Sequence, residues 1–483
     1  MKILNDILEG INILEIHGNI DSSISSVSLD SRIIEPNSLF VALSGNVTDG
    51  HNFINEVIEK GAKVIVHEKD IEDYKPSVTY IKVGDSHEAV GIIASNFYGN
   101  PSRHLKLVGV TGTNGKTTTA TLLHQLFINL GYKVGMIGTI ANKVNDKSYE
   151  ANRTTPDPVT LNKLLAEMVD EGCEYCFMEV SSHSVSEKRI SGLSFVGGIF
   201  TNLTLDHLDY HKTLDEYSAA KKGFFDILPA TGFAITNIDD EKGEYMLSDT
   251  KAHRYTLSLK KEADSFGNEV NFNERLETKL LGEFNIYNVL GVYATAVLLL
   301  YGDKPASPEA IQGRDKVKEI IKNLDSVAGR FQAIKGKNSI TGIVDYAHTP
   351  DALENVLKTA NNLKGSGKVI AVIGCGGDRD KSKRPIMAKI GYEMSDILIM
   401  TSDNPRSEKP EDILNDMQYG LPLDGLDKVE IIIDRHIAIE KACLLAEQGD
   451  YILVAGKGHE NYQEVNGIKY HFDDMEELEK YLK

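Results

Sequence analysis

The run Leu107-Val108-Gly109-Val110-Thr111 passes directly into Gly112-Thr113-Asn114-Gly115-Lys116-Thr117-Thr118, and a helical pattern continues over 116–130. An apolar strand that turns through glycines into a helix is the setting of a phosphate loop. The glycines let backbone amides face phosphate oxygens, and the helix start adds partial positive charge. Lys116 then meets the terminal phosphates while the Thr117 hydroxyl is suited to magnesium. The strict pattern places its first glycine at position 110, which is valine here. The rest of the run still predicts a nucleoside triphosphate on Gly112, Thr113, Asn114, Gly115, Lys116, Thr117 and Thr118; a turn without ligand is the competing reading.

A loop of this kind needs a mainly parallel sheet, and the flanking sequence supplies one. Strand candidates at 133–137, 176–180, 196–200 and 233–237 are separated by helical patterns, and a helix over 288–300 closes the unit. A charged segment, 304–325, leads out of it. A second α/β rhythm follows, with strands at 341–345, 368–373, 396–401, 428–433 and 451–454 and helices at 352–363, 386–392 and 437–446. Before the loop lies a smaller unit, with strands at 38–43 and 63–67 about a helix at 53–60. The reading is three α/β domains, 1–98, 99–328 and 329–483, which suits a chain of 483 residues.

Composition excludes several functions. With 52 basic and 71 acidic residues the formal charge is −19, unfavourable for nucleic acid without a concentrated basic groove, and only short groups such as Lys381, Lys383 and Arg384 occur. The four cysteines are too few for a disulfide scaffold. Cys173-x-x-Cys176 lies against an apolar strand, so packing is favoured over redox or metal use. The N-terminal MKILNDILEG lacks a leader pattern, and the most apolar later run, 294–300, is far short of about 20 residues. A cytoplasmic chain without a membrane span is expected.

Three further groups suggest chemistry. Glu179 ends an apolar strand, where an acid is costly unless a cation or hydrogen bonds compensate it. It is a candidate magnesium ligand, or an ordinary polar strand terminus. Asp206-His207-Leu208-Asp209-Tyr210-His211 is dense in ligand types, so His207 is either a second metal contact or a packing residue; no thiol set accompanies it to favour zinc. Lys221, on a helical stretch, reads on its own as a surface lysine.

Together these motifs resemble the Mur ligases over essentially the whole chain. The resemblance implies a small N-terminal UDP-binding domain, a central P-loop ATPase domain and a C-terminal Rossmann-like α/β domain. Thr111 to Thr118 resembles the family's ATP cradle, where the missing first glycine is normal. Glu179-Val180-Ser181-Ser182-His183-Ser184 resembles the segment joining magnesium to the precursor. Leu281 to Asn288 resembles the adenine-side motif, with Asn288 at the base and Arg330 in an associated signature. The resemblance implies ATP and two magnesium ions held by Thr117, Glu179, His207 and a carbamylated Lys221. Lys116 and His348, the latter in Asp345-Tyr346-Ala347-His348-Thr349-Pro350, complete the implied catalytic set.

Ser31, Thr154, Thr155, Ser181 and Arg189 match positions for the precursor, which the resemblance implies is UDP-N-acetylmuramoyl-L-alanyl-D-glutamate. Arg379, Asp403, Asn404, Arg406, Gly456 and Glu460 match positions for the amino acid. Asp403-Asn404-Pro405-Arg406 resembles the signature of the branch that takes meso-2,6-diaminopimelate. Lysine is the alternative; it lacks the second carboxylate that a guanidinium pairs with well. The implied reaction activates the glutamyl carboxylate as an acyl phosphate, releases ADP, and closes an amide as phosphate leaves. A monomer is expected.

Overall fold

The computed structural model describes residues 1–45, 48–260, 276–302, 307–424 and 426–483, with the backbone alone at Leu208 and Asp209. Each of three successive sheets carries its own helices, giving the α/β class expected.

The central sheet has eight strands, in the order Lys147–Glu150, Ala141–Val144, Val134–Ile137, Tyr175–Glu179, Lys106–Thr111, Gly197–Phe200, Phe233–Asn237 and His253–Leu257. The first three are joined by antiparallel pairing and the rest run parallel. Alternation along a pleated strand sends neighbours to opposite faces. Val108, Val110 and Phe177 therefore enter one apolar cluster, and Leu107, Cys176 and Met178 enter the other. Both cysteines of the Cys-x-x-Cys pair pack in the second cluster, Cys176 with no exposure. A β-carbon at Gly109 would lie 2.4 Å from Phe224, so glycine is what lets that ring pack directly on the face of the sheet there.

Parallel pairing places the ends of these strands on one edge. Glu179 stands opposite Val110, and Phe200 opposite Thr111. Side chains and loops following these strands converge on the glycine turn, the usual ligand edge of an open α/β sheet.

The helix expected at 288–300 runs instead from Glu283 to Tyr301, starting after Gly282 at φ 97°. At 19 residues it is long and apolar enough to cross a membrane by length and composition. Here it packs against the core, burying Asn285, Asn288 and Val289 to Val297. The exit segment forms the helix Pro308–Asn323, capped by Ser307, which buries Val317 and Ile321. The part of that segment at 304–306 lies outside the described residues.

The C-terminal sheet is ordered Gln332–Lys335, Thr341–Asp345, Tyr451–Ala455, Val369–Cys375, Ile397–Ser402 and Val429–Ile431, parallel after its first pair. Asp345, Ala455, Cys375 and Ser402 thus end on one edge. The hairpin Tyr462–Val465 with Ile468–His471 and the helix Asp474–Leu482 follow. Asp474 takes a two-pronged ion pair from Arg435, both fully buried, with Nε and Nη2 each 2.7 Å from a carboxylate oxygen. The five-stranded N-terminal sheet is ordered Ile13–His17, Thr79–Val83, Val64–His67, Leu39–Val41 and Val27–Ser28.

Candidate active site

The turn after Thr111 is built on glycine. Gly112 has φ 149°, and a β-carbon there would meet the Thr201 hydroxyl at 1.9 Å; Gly115 has φ 87° and lies against the Asn288 amide. Gly115 caps the helix Lys116–Asn129 without using a side chain, so the first amides of the helix remain for a ligand. Asn114 is held by the Asn202 side chain (2.9 Å), and its carbonyl accepts from Thr201 (2.6 Å). The Thr113 hydroxyl lies 3.1 Å from the Tyr217 phenol.

Lys116 curls back, donating to the carbonyls of Gly112 (2.9 Å) and Thr113 (2.8 Å). Lys221, expected from the residues alone to be a surface lysine, is 1% exposed and donates to the same Gly112 carbonyl at 2.7 Å. Desolvation, reinforced by the charge of Lys116, pushes the Lys221 ammonium well below the ordinary lysine range. A neutral amine is the form that adds carbon dioxide, and carbamylation would reverse the polarity of this position.

Glu179 is 1% exposed, and its carboxylate accepts from the Thr117 hydroxyl (2.9 Å), the Thr139 amide (2.7 Å) and the Thr139 hydroxyl (3.2 Å). Among the described residues no basic side chain hydrogen-bonds it. A buried anion joined only to neutral donors, beside a helix-start threonine, fits a hard divalent cation such as magnesium. Among the described residues no three of histidine, cysteine, aspartate and glutamate gather into a metal cage.

His207 adopts φ 54°, with Nε2 3.5 Å from Asp206. Burial, opposed by Asp206, brings its imidazole down to about 4, leaving a lone pair free for a cation near neutral pH. Its ring stands 4.9 Å from that of His183, and His211 reaches the Ser182 hydroxyl at 2.9 Å.

The predicted precursor residues are interlocked. Thr155 donates to the Glu179 carbonyl (2.7 Å) and takes a bond from the Ser181 amide (3.2 Å), while Thr139 reaches Thr154 (3.0 Å). Arg189 donates to the Thr155 carbonyl (2.9 Å) and pairs with Glu187. Ser31 is apart from them, in a short turn of the N-terminal domain that Asp30 caps; its carbonyl accepts from Lys60 at 2.8 Å.

The C-terminal domain closes over the loop. Arg330 donates to the Thr117 hydroxyl (3.1 Å) and stacks over Tyr346 at 4.8 Å. Asn114 bonds Asp351 (3.1 Å), and Lys383 bonds Asp206 (3.2 Å). Between the domains is a cavity of about 1090 Å³ lined by Asn114, Thr118, Asn288, Arg330, His348 and Asp351 among others. His348 is tied through Nδ1 to the Tyr346 carbonyl. Asp345 accepts from the amides of Phe331 (2.6 Å) and Ala347 (2.8 Å), and burial pushes its carboxyl up to about 6.

A carboxyl that binds its proton more tightly folded than unfolded costs stability as it ionises. Asp345 should therefore lose roughly 3 kcal/mol of its contribution as pH rises from its unfolded value of 3.8 through about 6. Melting curves of wild type and Asp345→Asn should show the variant gaining relative stability across that interval. A constant difference in melting temperature would contradict the assignment.

The amino-acid residues form a second polar cluster. Asn404 donates to Glu460 (2.7 Å) and accepts from Lys457 (3.0 Å) and the Glu464 amide (2.9 Å). Gly456, at φ 119°, leaves room for the Asp403 carboxylate 2.5 Å from where its β-carbon would lie. Arg406, at φ 51°, donates to the Gly377 carbonyl (2.7 Å), while Arg379 is exposed nearby. The cluster adjoins the loop site, since His459 packs 5.1 Å from Tyr346. Thr139, Asp351, Lys383 and Lys457 were not singled out as site residues; Lys383 was visible only as part of a short basic group.

A phosphate loop roofed by an arginine from a second α/β domain, itself carrying a charged pocket beside that roof, is the arrangement of a nucleotide-driven ligase. The chain belongs to the Mur ligase family: profiles described as the family's catalytic domain, middle domain and glutamate ligase domain match 23–98, 110–296 and 329–458. UDP-N-acetylmuramoyl-L-alanyl-D-glutamate--2,6-diaminopimelate ligase of Phocaeicola vulgatus is 51% identical over 487 residues, covering 98% of each chain. A solved structure of a ligase with that same name superposes with TM-score 0.67 at 29% identity, covering 100% of this chain and 99% of its own. At 18% identity, TM-score 0.59 and coverage of 90% and 94%, a MurF ligase from Thermotoga maritima in complex with ADP shares the fold.

Proposed function

We propose that this chain joins meso-2,6-diaminopimelate to the D-glutamyl side-chain carboxylate of UDP-N-acetylmuramoyl-L-alanyl-D-glutamate, with cleavage of ATP to ADP and phosphate, in peptidoglycan synthesis. The observation that carries this reading is the unbroken line Thr117, Arg330, Tyr346, His459, Glu460, Asn404 from phosphate loop to charged pocket. The names borne by full-length relatives agree with it.

The attacking carboxylate and ATP are both anions, so their approach needs concentrated positive charge. Lys116, released from the Gly112 and Thr113 carbonyls, meets the terminal phosphates, and the first amides of its helix hold the phosphate chain. Asn288 faces the adenine side of the cavity. Thr117, Glu179, His207 and carbamylated Lys221 would hold magnesium, which supplies Lewis-acid stabilisation of phosphoryl oxygens when bound. Thr154, Thr155, Ser181 and Arg189 orient the muramoyl peptide, and Ser31 contacts its uridine end.

The carboxylate oxygen attacks the γ-phosphorus and ADP departs, leaving an acyl phosphate. The incoming amine, having lost its proton, adds to the activated carbonyl and phosphate is expelled. Contacts from Arg330, Asp351 and Lys383 keep the domains together while that anhydride exists, which aligns the amine and limits hydrolysis. His348 lines the same cavity. The enzyme acts as a monomer in the cytoplasm.

The test supplies ATP, magnesium and the muramoyl dipeptide with diaminopimelate or lysine in separate reactions. Diaminopimelate should support ADP release with amide formation, and lysine far less. Equal or better use of lysine would overturn the specificity.

A further inference from the structure

Lys457 is fully buried, and its ammonium has two polar partners: the Asn404 amide oxygen at 3.0 Å and a Glu460 carboxylate oxygen at 3.4 Å. A buried cation is expensive, so its retention needs a specific counter-charge. The same Glu460 oxygen takes the Asn404 amide nitrogen at 2.7 Å, and the Glu464 backbone amide donates to the Asn404 oxygen at 2.9 Å. These bonds allow one orientation of the Asn404 amide: oxygen towards Lys457, nitrogen towards Glu460. The loop is held close by glycines on either side, Gly456 against Asp403 and Gly458 against Tyr346.

We propose that Lys457 is a positioning and specificity residue for the incoming amino acid: its ammonium fixes the Asn404 amide and keeps Glu460 an anion aimed at the distal ammonium. The inference rests on reading Glu460 as the contact for that ammonium. Other charged groups do not replace it. Burial first and Asp403 second push the Glu460 carboxyl above the usual carboxylate range, and Lys457 and Asn404 pull against them. Arg435 is committed to Asp474 at 2.7 Å, and Arg406 to the Gly377 carbonyl at 2.7 Å with Glu464 at 3.6 Å. Tyr346 and Tyr462, which also face Glu460, have their phenols raised by burial and remain neutral near pH 7. Lys457 is the one cation within hydrogen-bonding reach of Glu460 among the described residues.

Steady-state kinetics on the full-length enzyme test this. Lys457→Met should raise KM for diaminopimelate by about tenfold or more, because it strips one partner from a buried charge pair. KM for ATP and for the muramoyl dipeptide, and kcat at saturation, should hold. The acid limb of kcat/KM for diaminopimelate should move to higher pH, since Glu460 loses the cation that favours its ionised form. Lys457→Arg should restore much of the affinity. Combined with Glu460→Gln, Lys457→Met should cost far less than the product of the single effects.

Equal losses for ATP and diaminopimelate, an unmoved acid limb or independent effects would overturn the proposal. So would failure of both Lys457→Met and Lys457→Gln to fold, which would make Lys457 structural. If Glu460→Gln leaves KM for diaminopimelate unchanged, the reading of Glu460 fails, and the proposal with it. If Glu460→Gln raises KM and Lys457→Met does not, the proposal alone fails.

Discussion

Arg406→Ala should lower kcat/KM for diaminopimelate by about 10²–10³-fold while KM for ATP stays within about twofold. The backbone of Arg406 is pinned on both sides, its amide donating to the Glu464 carbonyl (3.0 Å) and its carbonyl accepting from Asn466 (2.7 Å). One guanidinium nitrogen is bonded to Gly377 and Nε faces Glu464, so the remaining N–H groups are available to a ligand carboxylate. Alanine leaves that carboxylate desolvated and poorly paired. Lysine is not a conservative replacement, because a point charge does not reproduce the planar two-bond geometry. Rates measured with ATP and diaminopimelate varied in turn check this; equal damage to both substrates would contradict it.

Lys221→Ala should be at least as severe, a loss of about 10²–10³-fold in kcat expected for removing one preorganised electrostatic group from a phosphoryl-transfer site. Two amines on one carbonyl make an electrostatically poor resting arrangement; burial lowers both from the ordinary lysine range, Lys221 the further. Conversion to a carbamate would resolve it, giving Lys116 an anion for a neighbour. Wild-type activity should then fall in carbon dioxide-depleted buffer and return with bicarbonate. A small carboxylate added to Lys221→Ala should recover part of the rate. Insensitivity of the wild type to depletion, together with a substitution that costs less than about tenfold, would contradict the carbamate.

The strand–loop–helix at 107–130 was legible because its glycines are dictated by close contacts that no other residue tolerates, and Gly112 meets Thr201 as such a loop requires. Glu179 was legible for a related reason, as an acid closing an apolar run; Asp345 was legible as the end of the strand expected at 341–345, and both lie buried. What was hidden is what joins segments distant in the chain. Thr139 is an ordinary residue until the sheet brings it under Glu179, and Asp351 means nothing until Asn114 meets it across 237 positions.

Periodicity also misplaced a boundary. The helix Glu283–Tyr301 begins with polar residues that are buried by neighbours rather than by their own hydrophobicity, Asn285 and Asn288 among them. Arg384 read as one member of a basic group, yet it is 1% exposed and paired with Glu408 and Asp416. Lys221 could be picked out from Lys222 only by resemblance; their partners separate them physically, since Lys221 reaches the Gly112 carbonyl while Lys222 turns to Asp226 and Asp249.

The central claim is that a carboxylate oxygen of the precursor passes through an anhydride with the γ-phosphate. The direct measurement uses muramoyl dipeptide labelled with ¹⁸O in its D-glutamyl side-chain carboxylate, with ATP, magnesium and diaminopimelate, and reads the phosphate by mass spectrometry. One labelled oxygen should appear in phosphate for each amide formed. Amide formation with unlabelled phosphate would contradict the account.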